Sequence, residues 1–228
     1  MKINVSNFFY VSLLSMVIFF HSSSVLAEDA KSLTGNGDIT FEQSDIKTGP
    51  VDPEHPEKKV DPGNEFSKTE GLLRFDFIPR LHFGAQEISD KDQTYQVNAQ
   101  LFKDETEARP NYIQISDYRG NIAGWEVSVR QETPFENVET KNSVLKGSVL
   151  SFDKQWVNST QPIELSPVVM KDAIKIDEIG ATYPIAKAEN GKGAGTWVIP
   201  FGSTGEVKGQ EKTLTPLLNA DGSPVTDA

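Results

Sequence analysis

The sequence predicts an all-β protein, an antiparallel β-sandwich or barrel-like domain that follows a disordered Pro-rich tether. Three observations lead to this prediction. From about residue 71 onward, short runs alternate apolar and polar residues, which is typical of strands with one buried face. Gly, Pro, Asn and Asp separate these runs, as expected of turns. Four prolines stand among charged residues between Thr48 and Asn64, where they prevent a regular ladder of hydrogen bonds.

Residues 1–27 have the features of a signal peptide. Lys2 precedes an apolar run from Phe8 to Phe20, which is short for a membrane span and suits a signal-peptide core. Val25 and Ala27 occupy the −3 and −1 positions, so cleavage is predicted after Ala27. The alternative is an uncleaved N-terminal anchor. No later stretch approaches the length of a membrane helix, so the mature chain is expected to be secreted without an integral membrane segment.

Residues 28–70 are predicted to be a polar segment that contains the tether. The patch from Asp38 to Glu42 alternates apolar and polar residues and could add an edge strand to a later sheet. Thr48 to Asn64 reads TGPVDPEHPEKKVDPGN and has little to bury, so it is predicted to be extended and partly polyproline-like. The alternative interpretation is a Pro-rich recognition motif.

Residues 71–228 are predicted to form the β domain, which is large enough for one sizeable core. The predicted strands lie in Leu73–Ile78, Leu81–Gly84, Thr94–Phe102, Val149–Phe152, Ile163–Val169 and Thr196–Phe201. Two segments, Val169–Ile179 and Ile185–Asn190, have some helical character, and at most one turn of helix is expected in either.

The stretch from Arg109 to Gln131 is predicted to be the centre of the domain. Its runs YIQIS and WEVSVR both alternate apolar and polar residues, and a polar bend from Asp117 to Gly124 joins them. This pattern predicts a β-hairpin or a pair of neighbouring strands. Trp125 begins the second run, with Val127 on the same predicted buried face.

The composition limits the partners and the compartment. The formal net charge is −11, which makes nucleic acids and anionic lipids poor partners. The chain has no cysteine, so neither a disulfide nor a lipid-modified cysteine is available. An exported protein without disulfides must be stabilised by its core, which favours a bacterial exporter with a single membrane over the eukaryotic secretory route.

The sequence predicts no catalytic, cofactor-binding or metal-binding residue. His55 and His82 lie in different segments, without a cluster at ligand spacing. The Gly-rich segment from Glu189 to Thr196 leads into a strand, so it is interpreted as a flexible connection and not as a phosphate-binding loop. Asn158-Ser159-Thr160 fits an N-glycosylation acceptor and is interpreted as a chance match. The 33 acidic residues include no pair that stands out for glycoside hydrolysis.

The three tryptophans, Trp125, Trp156 and Trp197, are the most informative aromatic residues. Burial in the core is the favoured interpretation, because it is the usual role of Trp in a sandwich. If one or two were exposed on a shared face, they would form a stacking platform for sugar rings or a partner surface. Trp156 has polar neighbours in FDKQWVNS and is predicted to be the most exposed.

The ordered set of segments resembles the WxL-domain surface proteins of low-GC Gram-positive bacteria. The matching parts are the signal peptide, the tether ending DPGN, and the motifs LRFDFIPRLHFG, RPNYIQISDYRG, AGWEVSVRQ, LKGSVLSF and GKGAGTW followed by FG. They cover most of the mature chain. The resemblance implies an all-β domain, noncovalent attachment to the cell wall through peptidoglycan, and co-assembly with other surface proteins of the same kind.

The resemblance also assigns motif positions, with two departures. Trp125 corresponds to the Trp of the first Trp-x-Leu motif, where Val127 replaces the Leu, and Tyr112 lies in the matched motif before it. The family's distal motif, a Tyr followed by a Leu-Thr-Trp-x-Leu strand, has no counterpart after Phe201. Thr213 to Leu218 could begin a strand, but a proline interrupts it. A missing closing strand is expected to leave an open sheet edge that can pair with another chain.

Two hypotheses of function follow. The leading one is a secreted, non-enzymatic module at the cell surface that binds peptidoglycan of a Gram-positive wall, with aromatic residues stacking on sugars and Asn, Gln and Tyr forming hydrogen bonds. The alternative is a structural or adhesin subunit that binds other surface proteins of the same kind. The candidate contact or motif residues are Trp125, Val127, Tyr112, Trp156 and Trp197, and Trp125 is either a contact or a core residue.

Overall fold

The computed structural model describes residues 48–86 and 89–215, which lie in one compact unit. The predicted signal peptide, its cleavage after Ala27 and the Asp38–Glu42 patch fall outside these residues. Within them the chain forms nine strands and one short 3₁₀ helix. The strands are β1 (Phe66–Ser67), β2 (Leu73–Pro79), β3 (Tyr112–Asp117), β4 (Trp125–Arg130), β5 (Leu150–Phe152), β6 (Val168–Val169), β7 (Ile174–Ile176), β8 (Thr182–Ala188) and β9 (Gly195–Pro200), and the 3₁₀ helix is Ile163–Leu165. None of the described helices is long and apolar enough to cross a membrane.

The strands form three antiparallel sheets, which confirms the all-β prediction. The first sheet has the order β1-β2-β3-β9, the second β4-β8-β6 and the third β5-β7. One core cluster joins all three, because it contains residues from each sheet: Ile113, Ile115, Trp197 and Ile199 from the first, Trp125, Val127, Ile185, Ala186 and Ala188 from the second, and Ile174 from the third. The sheets are therefore the layers of a β-sandwich.

β3 lies in the middle of the first sheet, and every one of its residues is buried. It pairs with β2 on one side and β9 on the other, so that Ile115 lies opposite both Phe75 and Trp197. An irregularity in the pairing of β2 with β3 lies between Phe75 and Phe77, and these two side chains pack on opposite faces of the sheet. Phe75 packs on the sandwich core, whereas Phe77 packs with Tyr112 in a second, smaller cluster on the other face of the sheet.

The predicted pairing of the two central runs is wrong. β3 and β4 form where the alternation predicted them, but β3 pairs with β2 and β9, while β4 pairs with β8. The polar bend therefore crosses between two sheets and is not a hairpin turn. Period-2 alternation marks which residues form a strand, but partners far along the chain decide the pairing.

Other predicted elements differ from the structure in similar ways. Thr94–Phe102 forms no strand and has only one isolated bridge, between Gln100 and Arg109. Leu81–Gly84 also forms no strand. His82, in that segment, is exposed beside Glu65. Ile163–Val169 divides into the 3₁₀ helix and β6. The segments with helical character are strands instead, β6, β7 and β8, because β-branched residues such as Ile174 favour a pleated, half-buried surface. Residues 213–215 form no strand.

The prediction of an extended tether is also wrong, because part of it folds onto the domain. Residues 50–60 form a closed loop, here called the clasp loop. Val51 bridges to Lys59, Asp52 N–H donates to Lys58 O (2.9 Å), and Val60 N–H donates to Pro50 O (3.1 Å).

The clasp loop buries residues that looked solvated in the sequence. Val51, Asp52, Pro53 and Glu54 are all buried. Val51 N–H donates to Gln114 Oε1 (2.9 Å), and Gln114 Nε2 donates to Gly49 O (3.0 Å). The prolines do prevent a regular ladder, but side chains of the first sheet satisfy the backbone of the segment instead. The clasp loop therefore covers the polar face of β3.

Candidate functional site

All three tryptophans are buried, as the core interpretation predicted. Trp125 is 8% exposed, Trp156 9% and Trp197 2%. Trp156 is thus as buried as Trp125 and presents no open ring face, contrary to the prediction that it lies exposed. A shared stacking platform of exposed indoles does not exist among these three residues.

Each indole N–H donates to a backbone carbonyl in a Gly-containing segment. Trp125 Nε1 donates to Gly193 O (3.0 Å), Trp197 Nε1 to Ala194 O (3.0 Å) and Trp156 Nε1 to Gly202 O (2.7 Å). A buried indole needs such an acceptor. Residues 191–195, here called the anchor loop, thus hold Trp125 of the second sheet and Trp197 of the first.

The anchor loop is not the flexible connection that its composition predicted. Gly191 N–H donates to Ile122 O and Gly193 N–H to Leu165 O, both at 2.8 Å. Gly193 has a φ of +79°, and a Cβ added to it would lie 2.5 Å from Ala188 Cβ and 2.9 Å from Trp125 Cε2. Glycine is needed here because the backbone lies directly against the indole. The segment that looked flexible is part of the core.

Val127 and Tyr112 are buried as well. Val127 belongs to the sandwich core with Trp125, and Tyr112 belongs to the second cluster, where its ring stacks on Phe77 at 4.3 Å between centroids. Three of the five candidate residues, Trp125, Val127 and Trp197, therefore share one cluster. The structure brings none of the five to an exposed surface.

The hydroxyl of Tyr112 is buried and has no hydrogen-bond partner among the described residues. Burial raises the pKa of this phenol well above its ordinary value of 10.0, and the nearby charge of Asp52 raises it further. The folded state therefore resists ionisation of Tyr112, while the unfolded chain ionises normally above pH 10. The free energy of unfolding is therefore unaffected by this ionisation below pH 10 and falls as the pH rises above it.

Replacing Tyr112 with Phe should stabilise the protein by about 1 kcal/mol at neutral pH, because it removes a buried polar group without a partner and keeps the ring stack. Above pH 10 the variant should also lose stability more slowly than the wild type, by up to ~1.4 kcal/mol per pH unit. Urea melts at pH 7 and pH 10.5 test both effects. Tyr183→Phe is the control at pH 7, since this partly buried residue donates its phenol hydroxyl to Asp177 (2.7 Å) and should lose stability on replacement. A loss of stability at pH 7 in Tyr112→Phe would contradict the conclusion that the Tyr112 hydroxyl is buried without a hydrogen-bond partner.

A buried ion network, which the sequence did not indicate, joins the clasp loop to the sheet. Arg109 Nε lies 3.0 Å from Asp52 Oδ1, and Arg109 Nη2 lies 3.0 Å from Asp52 Oδ2. Burial by itself lowers the pKa of the Arg109 guanidinium, but Asp52, with smaller contributions from Glu206 and Glu54, outweighs it and raises the pKa. Asp52 lies between Val51 and Pro53 in a run of charges and prolines, which is why the pattern resembled a solvated segment.

A second polar network fills the face of the first sheet beneath residue 48. Asp76 accepts hydrogen bonds from Arg74 Nε (2.7 Å), Thr48 Oγ1 (2.8 Å) and Ser116 Oγ. Ser116 also contacts Thr196 Oγ1 (2.7 Å). The pairing of polar side chains explains how β3 is buried on both faces, because the groups that would otherwise need water are satisfied within the protein.

A polar cleft of ≈ 360 Å³ lies where the segment after β9 folds back. Its lining residues include Lys154, Gln155, Ser203, Gln210 and Thr213. Gln155 Nε2 donates to Met170 O (2.5 Å) and Asp172 O (2.8 Å), while its buried Oε1 has no hydrogen-bond partner among the described residues.

The backbone around the cleft is well fixed. Lys154 has a φ of +55°, a conformation that non-glycine residues adopt rarely. Its carbonyl accepts a hydrogen bond from Gly202 N–H (3.0 Å), and Thr213 N–H donates to Ser203 O (2.9 Å). Strained backbone held by its surroundings is often found at binding sites. The cleft therefore combines neutral hydrogen-bonding groups with the ammonium group of Lys154 and the carboxylate of Glu211.

In the part of the chain that the structure describes, no group of three or more His, Asp or Glu side chains is placed to hold a metal ion. The amide of Asn158, in the apparent glycosylation acceptor, is occupied: Nδ2 donates to Pro53 O and Glu54 O, both at 3.1 Å. Asn158 therefore has a structural role, between the clasp loop and the edge of β9.

A comparison with protein-family models now adds to this geometry. The model described as "WxL domain surface cell wall-binding" matches residues 28–221, which is most of the chain. The chain belongs to the WxL family. Comparison with curated proteins and with solved structures gave no match.

Membership in the WxL family indicates a surface domain that binds the cell wall. Within this WxL domain, the motif residues Trp125 and Val127 belong to the core, where Trp125 is held by the anchor loop. The motif that identifies the domain thus supports the packing of its two larger sheets. A surface that contacts the wall must be formed by other residues.

Proposed function

We propose that this WxL domain is secreted and attaches noncovalently to peptidoglycan at the surface of a Gram-positive cell. The match of residues 28–221 to a cell wall-binding surface domain carries the proposal. Attachment is by binding and not by covalent linkage or catalysis.

The polar cleft is the best-supported contact region. Peptidoglycan offers hydroxyl and amide groups from its sugars and carboxylates from its peptides. Gln210 lines the cleft and supplies an amide that both donates and accepts hydrogen bonds. Gln155 supplies an acceptor, because its Oε1 has no hydrogen-bond partner among the described residues. Lys154 supplies a cation for a carboxylate. Hydrogen bonding takes the place of the aromatic stacking that the peptidoglycan hypothesis expected, because all three tryptophans are buried.

The test is co-sedimentation of residues 28–228 with purified Gram-positive sacculi. Wild-type protein should sediment with the sacculi. The variant Lys154→Asn/Gln210→Ala should bind roughly three- to tenfold more weakly, which corresponds to ~0.7–1.4 kcal/mol. Asn is chosen at position 154 because it tolerates the left-handed backbone.

The matched control is Lys141→Asn/Gln96→Ala, which makes the same chemical changes at two exposed residues outside the cleft lining. It should bind like the wild type. Failure of folded wild-type protein to sediment would refute wall attachment, whereas equal binding by the two double variants would refute only the cleft as the contact.

A second candidate function is a structural or adhesin subunit that binds other surface proteins of the same kind. The outer edge of β9 is covered, because Asn158 exchanges two backbone hydrogen bonds with Val198 (3.0 and 2.9 Å). β4 pairs with β8, and within residues 48–86 and 89–215 no strand lies on its other side. Such an edge can pair with a strand of another protein.

An exposed apolar patch also favours a protein partner. It comprises the exposed side chains Leu145, Val149 and Ile179, which line one depression of the surface, and exposed Phe135, whose carbonyl accepts a hydrogen bond from Leu145 N–H (2.8 Å). Leu145→Lys/Val149→Lys should reduce co-purification of surface proteins from cells while leaving sedimentation with bare sacculi unchanged. Unchanged co-purification would remove the support that this patch gives to the second candidate.

A further inference from the structure

The groove that holds the clasp loop is formed by residues far from it along the chain. Glu54 accepts hydrogen bonds from Ser203 Oγ (2.9 Å), from Thr204 N–H (2.7 Å) and from Thr204 Oγ1. Asn158 Nδ2 donates to the carbonyls of Pro53 and Glu54. Together with Arg109 and Gln114, these residues recognise two carboxylates and the backbone between them.

The clasp loop keeps its shape largely through contacts within itself. Lys58 N–H donates to His55 O (2.8 Å), and Glu54 N–H donates to Asp52 Oδ1 (2.9 Å), in addition to the bonds that close the loop at Val51 and Val60. Three prolines, Pro50, Pro53 and Pro56, further restrict its backbone. The loop therefore resembles a preorganised peptide ligand, which loses little conformational freedom on docking.

The connection from the clasp loop to the sheet lies at the surface. None of residues 61–72 is buried, and β1, which lies within it, contains only Phe66 and Ser67 and pairs with the end of β2. Its further backbone hydrogen bonds include those of Asp61 O with Lys103 N–H (2.7 Å), Thr69 N–H with Phe75 O (2.9 Å) and Leu72 O with Tyr118 N–H (2.8 Å), and extending the connection breaks them. Extended, this connection could span on the order of 40 Å. It is long enough to carry the loop to the groove of a neighbouring molecule.

We propose that this groove is an interaction surface whose partner is the clasp loop of a second copy of the chain, so that neighbouring chains exchange clasp loops. The occupant follows from the recognition chemistry, because the groove is complementary to Asp52-Pro53-Glu54 and every copy carries that sequence. Every contact within one molecule can be made equally between two, and exchange therefore costs no contact of the groove. The open connection provides the hinge.

Complementation between two full-length variants tests the exchange. Asp52→Asn/Glu54→Gln alters the loop but leaves the groove intact, and Arg109→Gln alters the groove but leaves the loop intact. Each variant alone should have a lowered Tm. A mixture annealed through its melting temperature should form a heterodimer that joins the intact loop to the intact groove, with a Tm higher by about 10 °C than that of either variant. A mixture that stays monomeric and melts as the sum of its components would overturn the proposal.

A second measurement covers the case in which either variant fails to fold. Wild-type chains carrying two different affinity tags are mixed, annealed at the wild-type melting midpoint, cooled and captured through one tag. Exchange predicts recovery of the second tag. No recovery with wild-type chains would also overturn the proposal. Neither outcome bears on wall attachment, which is measured separately with sacculi.

Discussion

Replacing Gly193 with alanine should destabilise the domain by about 2–5 kcal/mol. Roughly 1–2 kcal/mol is expected from placing a side chain in the left-handed backbone region, and ~1–3 kcal/mol from overpacking. The new Cβ would overlap the indole of Trp125 and lie 2.5 Å from Ala188 Cβ. The substitution also displaces the carbonyl that accepts the indole N–H. Urea unfolding followed by tryptophan fluorescence measures the change, and the emission should report a less buried indole.

Gly191→Ala is the matched control for Gly193→Ala. Gly191 lies two residues away in the anchor loop, has a similar φ of +86°, and has no atom within 4 Å of the position of an added Cβ. It should lose only the ~1–2 kcal/mol of backbone strain. Equal losses for both variants would mean that close packing against Trp125 does not determine the need for glycine at position 193.

Replacing Arg109 with glutamine should destabilise the domain by about 3–5 kcal/mol, because it leaves the buried carboxylate of Asp52 without its bidentate partner. Arg109 Nη1 also lies 3.9 Å from Glu54 and 3.5 Å from Glu206, so two further carboxylates lose a nearby cation. Thermal melts with and without 0.5 M NaCl provide the measurement. The loss should persist in salt, since buried pairs are screened much less than exposed ones.

Arg130→Gln gives the comparison for an exposed pair of the same chemistry. Arg130 Nη2 lies 2.6 Å from Glu132 Oε1, and both side chains are at least half exposed. Although this distance is shorter than the 3.0 Å between Arg109 and Asp52, loss of the Arg130–Glu132 pair should destabilise the domain by less than about 1 kcal/mol. If the two arginine variants lost similar stability, the clasp loop would be a surface contact and not part of the folded core.

The sequence was sufficient to locate several strands, because alternation is a local property. LRFDFIP, YIQISD and WEVSVR form β2, β3 and β4 where the pattern predicted them. The pairing of β3 with β9 joins residues about eighty positions apart, and no local pattern carries that information. The same limitation explains the incorrect hairpin.

The misjudged site residues have a related cause. Composition predicted a solvated segment around Asp52 and a flexible connection around Gly193, because prolines, charges and glycines are common in both. Asp52 is buried only because Arg109 meets it across 57 positions, and Gly193 is fixed only because Trp125 lies against it. The buried role of the tryptophans could be predicted, since large aromatic side chains dominate sandwich cores. The polar cleft could not, because its lining residues come from three separate segments.

The clasp loop has a mechanical consequence. Its ends are joined by the hydrogen bond between Val60 and Pro50, so residues 50–60 add almost nothing to the end-to-end length of the folded chain. Pulled straight, the same residues would extend by roughly 35–40 Å. Tension that entered the chain at residue 48 would act first on the contacts of Thr48, Gly49 and Val51 and then on those of Asp52 and Glu54, ahead of the strand ladders. Release of these contacts would lengthen the molecule by roughly 35–40 Å while the sandwich stayed folded. The clasp loop would therefore allow the molecule to extend under tension without unfolding of the sandwich.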